Sequence, residues 1–193
     1  MNATEDLGWL DSPSSLNASV ERLKAVKAVG LDAGLDFHGR VHKPMAKQLA
    51  KLLEPHQPLF IEEPLLSEHP EAIKHFSQQT TIPIALGERL YSRWDIKPFL
   101  EASSVDVLQP DVSHCGGISE IRRIAAMCEA YDVGLGKLQR PNLTSLVVLM
   151  HARFPQHPIV PSVLSPLRHL SKLLLLRQTS LSRRCRSAST ITR

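Results

Sequence analysis

Apolar residues in this chain recur in two alternating patterns. In the first, Leu16, Val20, Leu23 and Val26 return every three or four residues, which predicts a helix over Ser15–Val29 with one buried face. Pro44–Leu53 reads as the next helix, opened by proline near its start and closed before Pro55. Pro70–Ser77 and Asp95–Ala102 continue the series. Ile118–Tyr131 is the clearest member, with Ile121, Ile124, Ala125 and Cys128 as its stripe. In the second pattern, short apolar runs sit between the helices and predict strands at Ala33–Asp36, Leu59–Glu62, Pro83–Leu86, Val105–Leu108 and Val133–Leu135. Strands alternating with helices argue for an α/β fold, a parallel sheet joined by crossover helices. About five such units make a partial (β/α) TIM-type barrel. After Gly136 the alternation stops. Residues 137–193 hold a leucine run at 173–176, scattered prolines and a Ser/Arg/Thr-rich end, and they are expected to be irregular or disordered.

The strands carry a second regularity. Asp36, Glu62 and Glu88 stand 26 residues apart, each closing an apolar run. Parallel barrel strands present their carboxyl ends at one mouth, so three acids in equal register converge there. Oxygen-only ligands suit a hard cation such as Mg²⁺. The competing reading makes each acid a cap for the helix that follows it.

Composition and charge refine this picture. The chain has 193 residues, 42% of them hydrophobic, enough for a globular core. No apolar run is long enough to span a membrane. The polar, acidic start Met-Asn-Ala-Thr-Glu-Asp is unlike a signal peptide. Cys115, Cys128 and Cys185 are scattered, which fits free thiols in a reducing compartment, and a cytoplasmic location is expected. The net charge of +4 averages two unlike parts. Residues 137–193 contain ten Lys or Arg and no acid, whereas residues 1–136 contain 13 basic and 19 acidic residues. The expected organisation is therefore a barrel domain over 1–136 and a basic tail over 137–193.

Two further residues carry candidate chemistry. His38 lies two positions beyond Asp36 and faces the same mouth if its strand continues. Beside a metal-bound sugar acid it would be placed as a general acid; otherwise it is a capping or solvent-exposed histidine. Asp111, in LQPDVSH, follows the strand ending at Leu108 and is placed to orient a histidine.

The segments GLDFHGR, FIEEP, ALGER, LQPDVSHCGGISE and IAAMCEAYDV occur in order over roughly Asn2–Leu135. Together they resemble the galactonate dehydratase branch of the enolase superfamily. The resemblance implies a modified (β/α) barrel with Mg²⁺ on Asp36, Glu62 and Glu88. It makes His38 the acid that protonates a departing hydroxyl and Asp111 the group that orients a histidine base. The implied reaction removes the α-proton of a sugar acid, stabilises the resulting enediolate at the metal, and expels the β-hydroxyl to give a 2-keto-3-deoxy acid. The implied partner is a small sugar acid, with a homo-oligomer left open for a full-length form.

The sequence departs from that family pattern in two places. The family carries a capping domain and one barrel strand before the position matched by Met1. Five units alone do not close an eight-stranded barrel, so weak or no Mg²⁺ binding is expected unless the barrel is completed. The family's base histidine, in a PHCPLGPIALA segment, falls at position 138, which is Leu138. The tail offers a reason. Shifted back by one nucleotide, codons allowed for Gln156–Arg168 permit Ala-Pro-His-Cys-Pro-Leu-Gly-Pro-Ile-Ala-Leu-Ala, and those for Arg183–Thr192 permit Gln-Glu-Met-Ser-Leu-Gly-Ile-His-Tyr-Asn. Gly136-Lys137 can spell a splice donor and Gln156 a splice acceptor. Removing the intervening 62 nucleotides restores the frame and places His at position 138. Residues 137–156 then translate a retained intron, residues 157–193 are out of frame, and the chain as written is expected to be inactive.

Two other functions are compatible with parts of the sequence. One is a binding protein in which an acidic barrel is the scaffold and the basic tail contacts nucleic acid or an anionic membrane. The tail has Phe154 as its one aromatic residue, so it lacks a stacking platform, and neither partner is expected. The other is a different acid-sugar dehydratase or racemase of the same superfamily.

Overall fold

The computed structural model of the chain describes residues 7–136. The expectations for the tail and for position 138 lie outside these residues. A short 3₁₀ turn, Pro13–Leu16, leads into helix α1, Asn17–Ala28. There follow strand β1 (Leu35–Asp36), α2 (Lys43–Leu53), β2 (Ile61–Glu62), α3 (Pro70–Ser77), β3 (Ile84–Leu86), α4 (Arg93–Glu101), β4 (Val107–Leu108), α5 (Ile118–Ala130) and β5 (Gly134–Leu135).

Each predicted helix is present with its ends moved by two residues or fewer. In the first, Ser15 and Leu16 belong to the 3₁₀ turn. That turn begins because Ser12 Oγ accepts from the Ser14 amide and Pro13 presets the backbone angle. Helix α4 opens two residues earlier than the pattern suggests, since Ser92 Oγ accepts from the Asp95 amide at 3.4 Å and so caps at 92. Leu16, Val20 and Leu23 are buried as expected, whereas Val26 is only partly so.

The strands are shorter than the apolar runs that predict them. The paired backbone nevertheless continues past their formal ends. Leu59 donates to the Ala33 carbonyl at 3.0 Å, Phe37 to Glu62 at 2.9 Å, Gly39 to Glu63 at 2.9 Å, and Gly136 to Leu108 at 2.7 Å. All five strands are parallel and lie in the order β1-β2-β3-β4-β5. Each of the first four is followed by a helix, the right sequence of elements for an arc of a (β/α) barrel. The arc brings five strand carboxyl ends to one edge.

A single core holds this arc together. Leu35, Ile61, Ile84, Leu86 and Leu108 from the strands pack with Leu49 and Leu53 of α2, Ile73 and Phe76 of α3, Ile96 and Phe99 of α4, and Ile124 and Cys128 of α5. Burying one such side chain is worth about 1.5–3 kcal/mol. The three residues of β3 are buried throughout, as a central parallel strand requires.

Candidate active site at the strand ends

Asp36 and Glu62 are direct register partners at the last positions of β1 and β2. Glu88 is not in that register, because Glu62 pairs with Ala85. The equal 26-residue spacing therefore overstates the symmetry. Glu88 reaches the same edge by another route. Strand β3 ends at Leu86, and Gly87 follows with φ +152°. A Cβ at Gly87 would fall 2.4 Å from the backbone of Gln109. Only glycine lets β3 turn this close to the end of β4, where Gln109 donates to the Leu86 carbonyl at 2.7 Å.

None of the three acids caps the following helix. The residues at those cap positions are His42, His69 and Ser92. The charges of Asp36 and Glu88 instead act on Glu62. Burial, reinforced by the charges of Asp36 and Glu88, pushes Glu62 from its ordinary 4.5 up to about 7.

His38 joins this cluster, but not through a continuing strand. Its backbone is left-handed, with φ +56°, so the chain turns sharply after Phe37. Asp36 drives the turn: its Oδ1 accepts the His38 amide at 2.6 Å. The imidazole Nδ1 then lies 3.0 Å from Asp36 Oδ2 and 3.4 Å from Glu88 Oε1. His38 thus bridges two of the three acids and keeps about a third of its side chain exposed. Arg89 Nη2 donates to the His38 carbonyl at 3.1 Å, fixing the turn from the β3 side.

Asp111 lies beyond β4 and is 4% exposed. Its Oδ1 accepts the Ser113 amide at 2.7 Å, and its carbonyl accepts from His114 and Cys115. It follows β4, the neighbour of β3 in the sheet, and so stands further along the same edge.

Glu63, Arg89 and His114 were not singled out from sequence. Glu63 is fully buried, carries φ +43°, and accepts the Gly87 amide through Oε1 at 3.1 Å. Burial pushes its pKa up to about 7, against the pull of the Gly87 amide and Arg89. The one sequence signal for Glu63 is the doubled acid of FIEEP. His114 Nδ1 stands 3.5 Å from the Glu88 carbonyl, and its ring lies 6.2 Å from that of Tyr91.

The acid cluster has the donors a hard cation needs. Three carboxylates from three adjacent strand ends repel one another, and a dication offsets that repulsion. Among the described residues no group of three or more His, Cys, Asp or Glu side chains stands close enough to hold a metal ion as it is. Also among them, no helix is long and apolar enough to cross a membrane.

Comparison with known proteins agrees with this geometry. Residues 3–172 match the family model "Enolase C-terminal domain-like", a longer span than the motifs alone covered. The D-galactonate dehydratase of Ralstonia pickettii is 46% identical over 157 residues, which are 80% of this chain and 41% of that protein. Thus the chain spans about two-fifths of that curated relative's length. A crystal structure of an enolase-superfamily member from Salmonella Typhimurium superposes with a TM-score of 0.70 at 32% identity, covering 77% of this chain and 40% of the other. An enolase from Agrobacterium radiobacter, with bound sodium and L-malate, matches at TM-score 0.62 and 32% identity over 68% of this chain and 34% of its own. Five parallel strands in sequential order, acids at their shared edge and a family match over most of the chain lead to one assignment: this chain belongs to the enolase C-terminal domain-like family.

Proposed function

We propose that this chain carries the cation-holding part of a sugar-acid dehydratase site of the galactonate type. Asp36, Glu62 and Glu88 are the Mg²⁺ ligands, and His38 is the acid that protonates the departing hydroxyl. Asp111 orients a histidine base. The observation that carries the reading is the placement of three acids on one edge, with the His38 imidazole 3.0 Å from Asp36 and 3.4 Å from Glu88. The 46% identity to a D-galactonate dehydratase supports a sugar acid as the substrate class, and the relative with bound sodium and L-malate supports a site that takes a cation and a hydroxy acid.

When bound, Mg²⁺ supplies positive charge where a substrate carboxylate becomes more negative during loss of its α-proton. The protein groups supply the rest. Asp36 holds the His38 ring by its Nδ1, which leaves Nε2 as the atom that delivers a proton to the leaving oxygen. The left-handed turn at His38, tied by Arg89, aims the ring along the edge. Asp111, nearly fully buried and with Oδ1 fixed by the Ser113 amide, is a rigid carboxylate suited to hold an imidazole in one tautomer.

Position 138 is leucine, which cannot accept a proton, so the chain as written does not turn over. Residues 137–156 are read as a retained intron and 157–193 as its out-of-frame continuation. Sequencing the transcript across Gly136 tests this directly: a product 62 nucleotides shorter supports it, and its absence from every transcript overturns it. The function is tested on the spliced, full-length form. Mg²⁺-dependent dehydration of D-galactonate, lost in His38→Asn and in Glu88→Gln, is the expected result. Turnover that survives Glu88→Gln, or none with any sugar acid, overturns the reading.

A further inference from the structure

Glu63 makes hydrogen bonds to the backbone of two neighbouring strands, β1 on one side and β3 on the other. Its amide donates to the Ala85 carbonyl of β3 at 3.0 Å. Its carbonyl accepts from Gly39, just past β1, at 2.9 Å. Its carboxylate Oε1 accepts from Gly87, just past β3, at 3.1 Å. A left-handed φ of +43° at a glutamate costs about 1–3 kcal/mol unless the surroundings impose it. The side chain is 0% exposed, so no solvent-facing role explains it. The residues it ties are neighbours of the cluster: Gly87 precedes Glu88, Gly39 follows His38, and Glu63 itself follows Glu62.

Arg89 completes the arrangement. Its Nη2 holds the His38 carbonyl, and its charge acts on Glu63. Arg89 Nε and Glu63 Oε2 are both buried and make no hydrogen bond among the described residues. Both atoms therefore retain unused hydrogen-bonding capacity beside the acid cluster.

We infer that Glu63 is a positioning residue: by accepting the Gly87 amide it fixes where Glu88 stands relative to Asp36 and His38, and so sets the spacing of the cation site. The inference deepens the dehydratase reading and rests on it for its purpose. What positions Glu88 is the acceptor oxygen, not the charge. Glutamine keeps that oxygen at the same reach, and methionine keeps the volume with a much weaker acceptor. Partners one step behind a metal ligand commonly change metal affinity by about 10- to 100-fold.

The test uses the full chain with Glu63→Gln, Glu63→Met and, as a control for lost stability, Leu23→Ala in the core of α1. Nitrogen-15 spectra of the metal-free protein report the Gly87 amide and the His38 imidazole. Glu63→Met is expected to move both resonances and speed exchange of the Gly87 amide, while Glu63→Gln leaves the imidazole in place. Leu23→Ala is expected to leave both resonances in place despite a lower melting temperature. A parallel Mg²⁺ titration is expected to weaken at least tenfold in Glu63→Met and less than threefold in Glu63→Gln. The inference is overturned if Glu63→Met leaves both resonances unmoved, if Leu23→Ala shifts them equally, or if Glu63→Gln moves the imidazole as far as methionine does. Should Glu63→Met not fold, the glutamine arm still decides. Wild-type protein that binds no Mg²⁺ while the metal-free spectra behave as expected defeats the cation-site reading and leaves the positioning role standing.

Discussion

Replacing Glu62 with glutamine should stabilise the metal-free protein at pH 8 while removing its cation site. Burial and two neighbouring carboxylates raise Glu62 from 4.5 to about 7. The folded chain therefore keeps the Glu62 proton to a higher pH than the unfolded chain does. Between about pH 4.5 and 7 the folded state binds more protons, so stability falls as pH rises through that window and stays low above it. At about 1.4 kcal/mol per tenfold, the full shift corresponds to about 3 kcal/mol. Glu62 is only partly buried, and solvent screening reduces the expected gain to roughly 1–3 kcal/mol. Glutamine has nothing to ionise and preserves the shape. Urea unfolding of wild type and Glu62→Gln at pH 5 and pH 8 measures the effect. The variant should match wild type at pH 5 and exceed it at pH 8, with part of the pH slope remaining because Glu63 titrates near the same value. A variant less stable than wild type at pH 8, or one with an unchanged slope, would refute the claim that burial and the neighbouring acids raise Glu62.

Gly87→Ala should be among the most damaging single changes, costing more than about 3 kcal/mol, since its Cβ would meet Gln109 backbone and not a movable side chain; limited proteolysis and circular dichroism would show loss of the folded form. Cys128, pushed up to about 12 by burial, and Cys115, raised by the same cause, should resist a thiol reagent in the native state and react once the chain is unfolded in urea. The chain as written should not dehydrate D-galactonate, because a missing positioned base costs at least about 10²–10⁴ in rate; turnover by a clean preparation that disappears in His38→Asn would contradict this.

How much of this was legible in the sequence follows from which forces are local. Helix stripes depend on residues three and four apart, so Leu16, Val20 and Leu23 of the first predicted helix and Ile121, Ile124, Ala125 and Cys128 of the last stand on the buried faces that their spacing predicts. Parallel strands buried on both sides give apolar runs without alternation, which places them well and bounds them poorly. Asp36 and Glu62 lie in register as their positions suggested. Glu88 does not, because its place depends on a glycine turn against Gln109, a contact between segments more than twenty residues apart. His38 was placed at the right edge for the wrong reason, since the left-handed turn fixed by Asp36 and Arg89 leaves no mark in the hydrophobic pattern. Glu63 is not legible in the sequence because its significance is burial, and a glutamate beside a proline reads as a surface residue.

The most direct test of the account is a calorimetric titration of the full chain with Mg²⁺ at pH 8, alongside Glu62→Gln and Glu88→Gln. Three carboxylates on adjacent strand ends predict weak but saturable binding of one Mg²⁺ per chain, abolished in both variants, and about tenfold weaker at pH 6 because Glu62 must lose its proton first. No saturable heat in the wild type, or binding that survives Glu62→Gln, would contradict the claim that Asp36, Glu62 and Glu88 form one cation site.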